Sequence, residues 1–400
     1  MESILHGIRV VEAATFVAGP AAGTIMGDFG AEVIHIEPPG SGDPYRNLYT
    51  LRPLPESEEN YCWLLDSRNK KSVALNLKHA DGRAALYRLV ASADVFITNY
   101  QPSVQRDLGV RYADIQPLND RLIYAHATGY GDVGDETEKP GYDFTAYWAR
   151  SGLMDLMRPR GGEVALSAPG MGDHPTAVSL FSAIMLALYR RQRSGKGGRV
   201  STSLMANGIW ANGIMAQAAL CGAPPAERFT HAESANPLIS VYETGDGRHF
   251  SLAMVKEADE WEMFCTAVDR PDLKHDARFN TSPQRRANAR ELVAILDALF
   301  ATRTLAEWTA SLNHHRITFG VVQKCITLPD DSQMRANGVF RPIVDLPGRE
   351  TIDSPMQIDG ETKVAAHAAP AIGADTQAVL HSIGYDEQQI AALITSGAAA

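Results

Sequence analysis

Asp173 stands in the stretch SAPGMGDHPTAVSLF, two residues before Pro175 and just after Gly170 and Gly172. Proline is favoured in the first turn of a helix, where its missing N–H would go unpaired anyway, so the stretch predicts a helix opening beside the aspartate. Two roles follow from that position. Asp is among the best N-caps, and the plainer reading is that its carboxylate caps the helix. The chemical reading uses the same geometry: free N–H groups and the positive end of the helix dipole hold a carboxylate ionised, and they also stabilise charge developing on a neighbouring carbonyl oxygen. An ionised carboxylate beside such an oxyanion site can attack a thioester. The two glycines allow a substrate close to the backbone.

No other constellation of residues competes with it. The four cysteines, Cys62, Cys221, Cys265 and Cys325, are far apart and form no C-x-x-C pair, which predicts reduced, mostly buried thiols rather than a zinc knuckle or disulfide framework. His314 and His315 are adjacent, point in different directions on a helix and have no third ligand spaced to help them, so no metal site is expected. A formal net charge of -10 argues against a nucleic-acid partner, which would need a basic face. The opening MESILHGIRVVEAA has no basic segment leading into a long apolar one, and no run approaches the length of a membrane span; both point to a cytoplasmic protein with no membrane partner.

The elements that must position Asp173 begin with an alternation of short β-branched runs and helical patterns. IRVVE (8–12), EVIHIE (32–37), VALNL (73–77), DVFITN (94–99) and LIYAHATG (122–129) read as strands, and the segments near 20–30 and 80–92 as helices. Continuous apolar strands of this kind suit a parallel sheet covered on both faces, so the fold class is α/β: a Rossmann-like, doubly wound sheet carrying a smaller α+β domain. Such sheets bind ligands beyond the carboxyl ends of their strands. None of the post-strand segments matches G-x-G-x-x-G, and Gly40-Ser41-Gly42 follows two prolines without opening a helix, so a nicotinamide dehydrogenase is poorly supported. A long helix is predicted from Pro175 to about Arg193, closed by basic residues and Gly195, and the following VSTSLMANGIWANGIMAQAAL is again read as helical.

The expected domains are a large one over 1–200, a linker over 201–229, a small domain over 230–325, and a return segment over 326–400 that packs on the large domain. The small domain should hold the strand-like LISVYET, a hairpin turn at Gly245-Asp246-Gly247, the strand HFSLAM and two or three helices. The alanine-rich end is expected to fray.

The segment GIRVVEAATFVAGPAAGTIMGDFGAEVIHIEPPGSGDPYR resembles the N-terminal signature of the family III CoA-transferases (CaiB/BaiF type). NKKSVALNLK, DVFITNYQPSVQRDLG, YAHATGYG, RRQRSGKGGRV and the final GADTQAVLHSIGYDEQQIAAL are similar to further family motifs, in the same order. The resemblance implies that Asp173 is the catalytic aspartate, forming acyl-anhydride and CoA-thioester intermediates. It implies a CoA site that includes the backbone of Phe16, Val17 and Ala18, with Asn99 and Tyr100 lining the channel, Arg106 on the CoA phosphates, and Lys70 and Lys71 at the nucleotide end. It also implies coenzyme A or its acyl esters as substrate, no tightly bound cofactor, and a homodimer whose subunits interlock like links. Lys139, Tyr142 and Tyr147 are candidates for the substrate pocket. Two departures matter. Pro38 and Pro39 stand where some members carry arginine, which removes that nucleotide contact, and ANPLISVYETGDG lacks the consecutive glycines of the formyl-CoA:oxalate enzymes, which argues against oxalate.

Two alternatives remain open on sequence. An α-methylacyl-CoA racemase shares the fold and needs two acid–base groups on opposite faces of the α-carbon. Its motif has histidine where this chain reads Gly141-Tyr142-Asp143, and a tyrosine with an ordinary pKa near ~10 is a poor base at neutral pH. His126 sits inside a strand, where a core role is expected, and His174 adjoins the nucleophile without matching the racemase position. A non-catalytic acyl-CoA-binding protein is the other alternative, and an intact Asp173 in its glycine context speaks against it.

Overall fold

The structure is a computed structural model that describes residues 3–400. Two compact units divide the chain: one formed by residues up to 156, 165–221 and 332–400, the other by 157–164 and 222–331.

The first unit is built on a six-stranded, all-parallel sheet. In chain order its elements are β1 (Arg9–Glu12), α1 (Pro20–Asp28), β2 (Glu32–Glu37), β3 (Lys70–Ala74), α2 (Ala80–Val90), β4 (Val95–Thr98), α3 (Pro102–Leu108), β5 (Ile123–Thr128), α4 (Asp173–Ser194), β6 (Gly198–Ser203), α5 (Leu204–Ala211) and α6 (Gly213–Leu220). The strand order is β3-β2-β1-β4-β5-β6. This is a doubly wound sheet whose order reverses between β1 and β4, and that reversal opens a crevice at the carboxyl ends of the strands. Alternation along each strand sends one set of side chains to each face. Val10, Val33, Val95, Ile97 and Ile123 pack with α1 and α4, while Val11, Ile34, Val73, Phe96 and Tyr124 pack with α2 and the C-terminal helices. Both faces are covered, as the apolar strands require.

Two strand assignments need correction. The third strand occupies 70–74 rather than 73–77, so Lys70 and Lys71 lie in the strand at its amino end. The segment expected to be wholly helical from Val200 begins as β6, paired with β5 from Ile123↔Gly198 to Thr128↔Ser203. Its polar sequence GRVSTS hid it: this is an edge strand with exposed alternate residues, not a buried apolar run. The long helix ends as expected, with Gly195 in the left-handed region at φ 72.

The second unit contains a three-stranded antiparallel sheet of β7 (Val241–Glu243), β8 (His249–Leu252) and β9 (Phe319–Val321). The β7–β8 hairpin turns through Gly247 at φ 69. Around it pack α7 (Glu257–Ala267), α8 (Ala289–Phe300) and α9 (Leu305–His314), with short helical turns at Asp272–His275 and Ser282–Ala287. Phe250, Phe264, Phe300 and Trp308 form its core.

The C-terminal part of the first unit carries a hairpin of β10 (Phe340–Pro342) and β11 (Glu350–Ile352), then α10 (Thr376–Ser382) and α11 (Glu387–Thr395). Its end does not fray. Ala398 and Ala399 are buried, Asn76 N–H donates to the Ala398 carbonyl at 2.9 Å, and Ala400 N–H donates to the Ala74 carbonyl at 3.1 Å. Small side chains let this segment close over the exposed edge of β3, a strand that would otherwise offer unpaired backbone groups. Two of the four cysteines, Cys221 and Cys325, are exposed rather than buried.

Removing Ala398–Ala400 should therefore lower stability by about 2 kcal/mol, the sum of two or three backbone hydrogen bonds and two buried alanines. The measurement is the urea midpoint; an unchanged midpoint would mean that the tail does not hold the edge.

Candidate active site

A small cavity, about 70 Å³, opens at the carboxyl ends of the central strands. Its wall takes Phe16, Val17 and Ala18 from the loop after β1, Asn99 from the end of β4, Thr128 and Gly129 from β5, Tyr142 and Asp143, and Asp173 from α4. Each is placed by a specific contact. Asn99 Nδ2 donates to the Thr15 carbonyl at 2.6 Å and its Oδ1 accepts the Thr15 N–H at 2.9 Å, which ties the loop after β1 to the end of β4. Phe16 is held in the left-handed region at φ 59, and its N–H donates to Asp43 Oδ1 at 3.2 Å. Such a conformation costs on the order of 1 kcal/mol and persists only where the surroundings impose it. Here Asp43 is fixed by buried His35, which lies between Asp43 at 3.3 Å and Glu12 at 3.1 Å. Burial alone would lower the His35 pKa, but the two carboxylates outweigh it and raise it to about 9, so the bridge is ionic. The N–H groups of Val17 and Ala18 have no partner among the described residues and remain available as donors.

Gly129 and Gly141 bring the far wall in. A Cβ on Gly141 would lie 2.8 Å from the Gly129 Cα, so only this glycine pair lets the segment before Tyr142 cross the end of β5. Asp143 then opens a π-helical segment, Asp143–Ala149, which packs Asp143 and Tyr147 against Gly172.

Asp173 is the first residue of the 22-residue α4, and it does not cap that helix. The N-cap is Gly172, and the Asp173 carboxylate has no hydrogen-bond partner among the described residues. Burial raises its pKa, nearby Asp143 raises it further, His174 opposes, and the net value is about 7. The helix dipole pulls the other way, but its usual worth of about 0.3–1 kcal/mol is less than one pKa unit. Desolvation and the neighbouring carboxylate therefore win. Beside it, His174 Nε2 is 3.0 Å from Asp66 Oδ1 and its Nδ1 is 3.0 Å from the Gly170 carbonyl. Burial would lower the His174 pKa, yet Asp66 holds it up at about 9, so a cation flanks the Asp173 carboxylate.

The cavity unites Phe16, Val17, Ala18, Asn99, Tyr142 and Asp173. Tyr100 lines a second, larger hollow, about 460 Å³, formed by Glu37, Pro38 and Pro39 at and after the end of β2, Leu75 to Lys78 after β3, and Val104 and Leu108 of α3. Pro38 and Pro39 give it an apolar wall where an arginine contact was set aside. Arg106 is exposed on α3 and has no side-chain partner among the described residues. Tyr147 is buried against Gly172, behind the cavity wall.

Three expectations are corrected. Lys70 is buried in the core, its Nζ bonded to Glu12 Oε2 at 2.9 Å and to the Pro20 carbonyl at 2.7 Å, with nothing left for a phosphate. Lys71 pairs with Glu32 at 2.6 Å at the amino end of β3, away from the crevice. Lys139 is exposed, paired with Glu136 at 2.7 Å, and does not line the cavity. The cation beyond the carboxyl end of β3 is Lys78, exposed and lining the second hollow. Sequence reasoning passed over Lys78 although it directly follows the expected strand 73–77, because the resemblance put the nucleotide contact at Lys70 and Lys71. It also missed the contact of Asp143 with the helix start. His126 has the core role expected: it is buried, 3.0 Å from Asp132 and 2.8 Å from Gln105. Among the described residues no cluster of His, Cys, Asp and Glu is arranged for a metal ion, and no helix is long and apolar enough to cross a membrane.

Comparison with known proteins gives a consistent result. The model of CoA-transferase family III matches residues 5–376. The chain is 34% identical to (R)-2-hydroxy-4-methylpentanoate CoA-transferase of Clostridioides difficile, over 97% of each chain. It is 33% identical to cinnamoyl-CoA:phenyllactate CoA-transferase of Clostridium sporogenes, over 97% of this chain and 95% of that one. Among solved structures, a CAIB/BAIF family protein from Brucella suis superposes with a TM-score of 0.85 at 26% identity, covering 96% of this chain and 100% of that chain.

The raised Asp173 pKa has a consequence for stability. An unfolded Asp ionises near ~3.9, so between about pH 4 and 7 the folded protein binds the extra proton, and stability falls as pH rises through that window. Asp173→Asn removes the buried charge. It should be more stable than the parent by on the order of 1–3 kcal/mol at pH 8, with the gain vanishing below about pH 4. Melting curves across that range test this, since loss of a cap would instead make the variant no more stable than the parent at any pH.

Proposed function

The chain belongs to CoA-transferase family III and moves coenzyme A from an acyl-CoA thioester to a free carboxylic acid, and we propose that it does so through covalent intermediates on Asp173. The observation that carries this reading is the Asp173 carboxylate itself: at the start of a long helix, on the wall of the crevice, and without a hydrogen-bond partner among the described residues. A capping aspartate would stand one residue earlier, at the N-cap, with its carboxylate on a backbone N–H.

The steps follow from the groups present. A carboxylate oxygen of Asp173 bonds to the thioester carbon and the carbon–sulfur bond breaks, giving a mixed anhydride and CoA thiolate. The thiolate attacks the Asp173 carbonyl of the anhydride, which releases the donor acid and leaves CoA as a thioester on Asp173. The acceptor carboxylate attacks that thioester and forms a second anhydride. The thiolate then takes the new acyl group and regenerates Asp173. Each step exchanges one activated acyl bond for another, so the thioester energy is retained provided water is excluded. The N–H groups of Val17 and Ala18 are the available donors to the oxyanions that form at the acyl carbon.

The larger hollow, lined by Tyr100 and Lys78, suits the nucleotide end of CoA: an apolar wall for the base and a cation for phosphate. The two relatives named above act on 2-hydroxy acids, which makes a 2-hydroxy acid the first acceptor to try. A racemase would need a second base facing Asp173; the cavity wall offers no histidine, only Tyr142 and Asp143, and Asp143 is engaged by the Gly172 N–H. We place the protein in the cytoplasm as an interlocked homodimer; a folded, active monomer by light scattering on dilution would contradict that assembly.

Asp173→Asn tests the mechanism. The amide cannot form an anhydride, so transfer from succinyl-CoA or another donor should fall on the order of a thousandfold or more while the fold is kept. A variant that transfers CoA at near-parental rate would return Asp173 to a structural role.

A further inference from the structure

Helix α4 does have a carboxylate at its start, but it is supplied from thirty positions upstream. Asp143 Oδ1 accepts the Gly172 N–H at 3.0 Å. The N–H groups of Gly170 and Asp173 also favour its charged form. Gly172 is what permits the contact, because a Cβ there would lie 2.5 Å from Asp143 Oδ1 and 2.4 Å from Tyr147 Cγ. Asp143 is 5% exposed, and its Oδ2 is buried without a hydrogen-bond partner although the residue lines the same cavity as Asp173.

We propose that Asp143 is a positioning residue for the nucleophile: it takes the hydrogen bonds of the helix start that Asp173 would otherwise take, and its unscreened charge makes the Asp173 carboxylate a higher-energy, more reactive group. This rests on Asp173 as the nucleophile. A carboxylate that capped its own helix would be stabilised by backbone N–H groups and would give up that stabilisation on attacking an acyl carbon. With Asp143 in the cap position Asp173 has nothing to give up. When Asp173 is acylated its charge disappears, and the repulsion from Asp143 disappears with it, so the first covalent step relieves an unfavourable interaction present in the resting site. The other charged or titratable groups near Asp173 include His174, Asp66, Tyr45 and, on the same cavity wall, Tyr142, and the Asp66–His174 pair carries no net charge when both are ionised. Asp143 is thus the uncompensated charge in the group. Burial raises the pKa of Asp143 itself, and the backbone N–H groups oppose that rise, so of the two coupled carboxyls the hydrogen-bonded one is the better placed to carry the first charge.

The test is direct titration of Asp173, followed through its carboxyl carbon by NMR in 13C-Asp-labelled protein and assigned with Asp173→Asn. In the parent, Asp173 should titrate well above the ordinary carboxylate range. In Asp143→Asn, whose Oδ1 still accepts the Gly172 N–H, the proton affinity of Asp173 should fall at least tenfold, and kcat should fall by on the order of tenfold with KM little changed. Asp143→Ser, which can also accept that N–H and carries no charge, replaces the amide should it not fold. An ordinary Asp173 titration in the parent, or one unmoved in the folded variants, overturns the proposal. Because the titration needs no turnover, that failure is distinguishable from failure of the covalent mechanism, which shows instead as an active Asp173→Asn.

Discussion

The site depends on a carboxylate denied its usual partners. At the start of a 22-residue helix, the Asp173 side chain could satisfy a backbone N–H and ionise easily; it does neither. Glycine at the N-cap, a foreign carboxylate on the glycine N–H and a desolvated cavity wall together hold its pKa up at about 7. The rest of the large unit can be understood as what is needed to keep that arrangement. The long helix α4 anchors the residue, with Ala177, Leu180 and Ile184 buried along its inner face. The glycine pair Gly129 and Gly141 admits the opposing wall, and the π-helical segment aims Asp143 and Tyr147 at Gly172.

The sheet supplies the location. Because its order reverses between β1 and β4, the loops after those strands diverge and leave a crevice between them, the place where sheets of this kind bind ligands. The ionic bridge of His35 with Glu12 and Asp43 keeps the loop after β1 in a conformation that leaves two N–H groups unpaired. Unpaired donors and an unpaired carboxylate on one cavity wall are costly to the folded state, and sites that bind and react are where such costs are found.

Much of this was legible in the sequence. Apolar β-branched runs located β1, β2, β4 and β5 to within a residue or two, because buried parallel strands leave an unambiguous pattern. The glycine context of Asp173 and its spacing from Pro175 located the helix start. Illegible was whatever depends on a distant partner. Polar β6 is a strand only because β5 offers it an edge. Lys70 carries a charge that reads as surface, yet Glu12, some sixty positions earlier, draws it into the core. The alanine-rich end reads as loose, yet its small side chains are what let it lie along β3. The racemase motif fails at Tyr142, the residue before Asp143, but the contact of Asp143 with Gly172 is fixed by the fold and by no local pattern.

The central claim is that Asp173 exchanges acyl groups covalently, and the fate of oxygen tests it most directly. An acceptor acid carrying oxygen-18 in both carboxylate positions delivers one of them to the anhydride bridge, and the final attack of thiolate leaves that atom on the aspartate. After a single turnover with an acyl-CoA donor, mass spectrometry of the peptide containing Asp173 should show it heavier by one oxygen-18, approaching two as cycles repeat, with no other carboxylate labelled. Transfer of CoA at full rate with an unlabelled Asp173 would contradict the account.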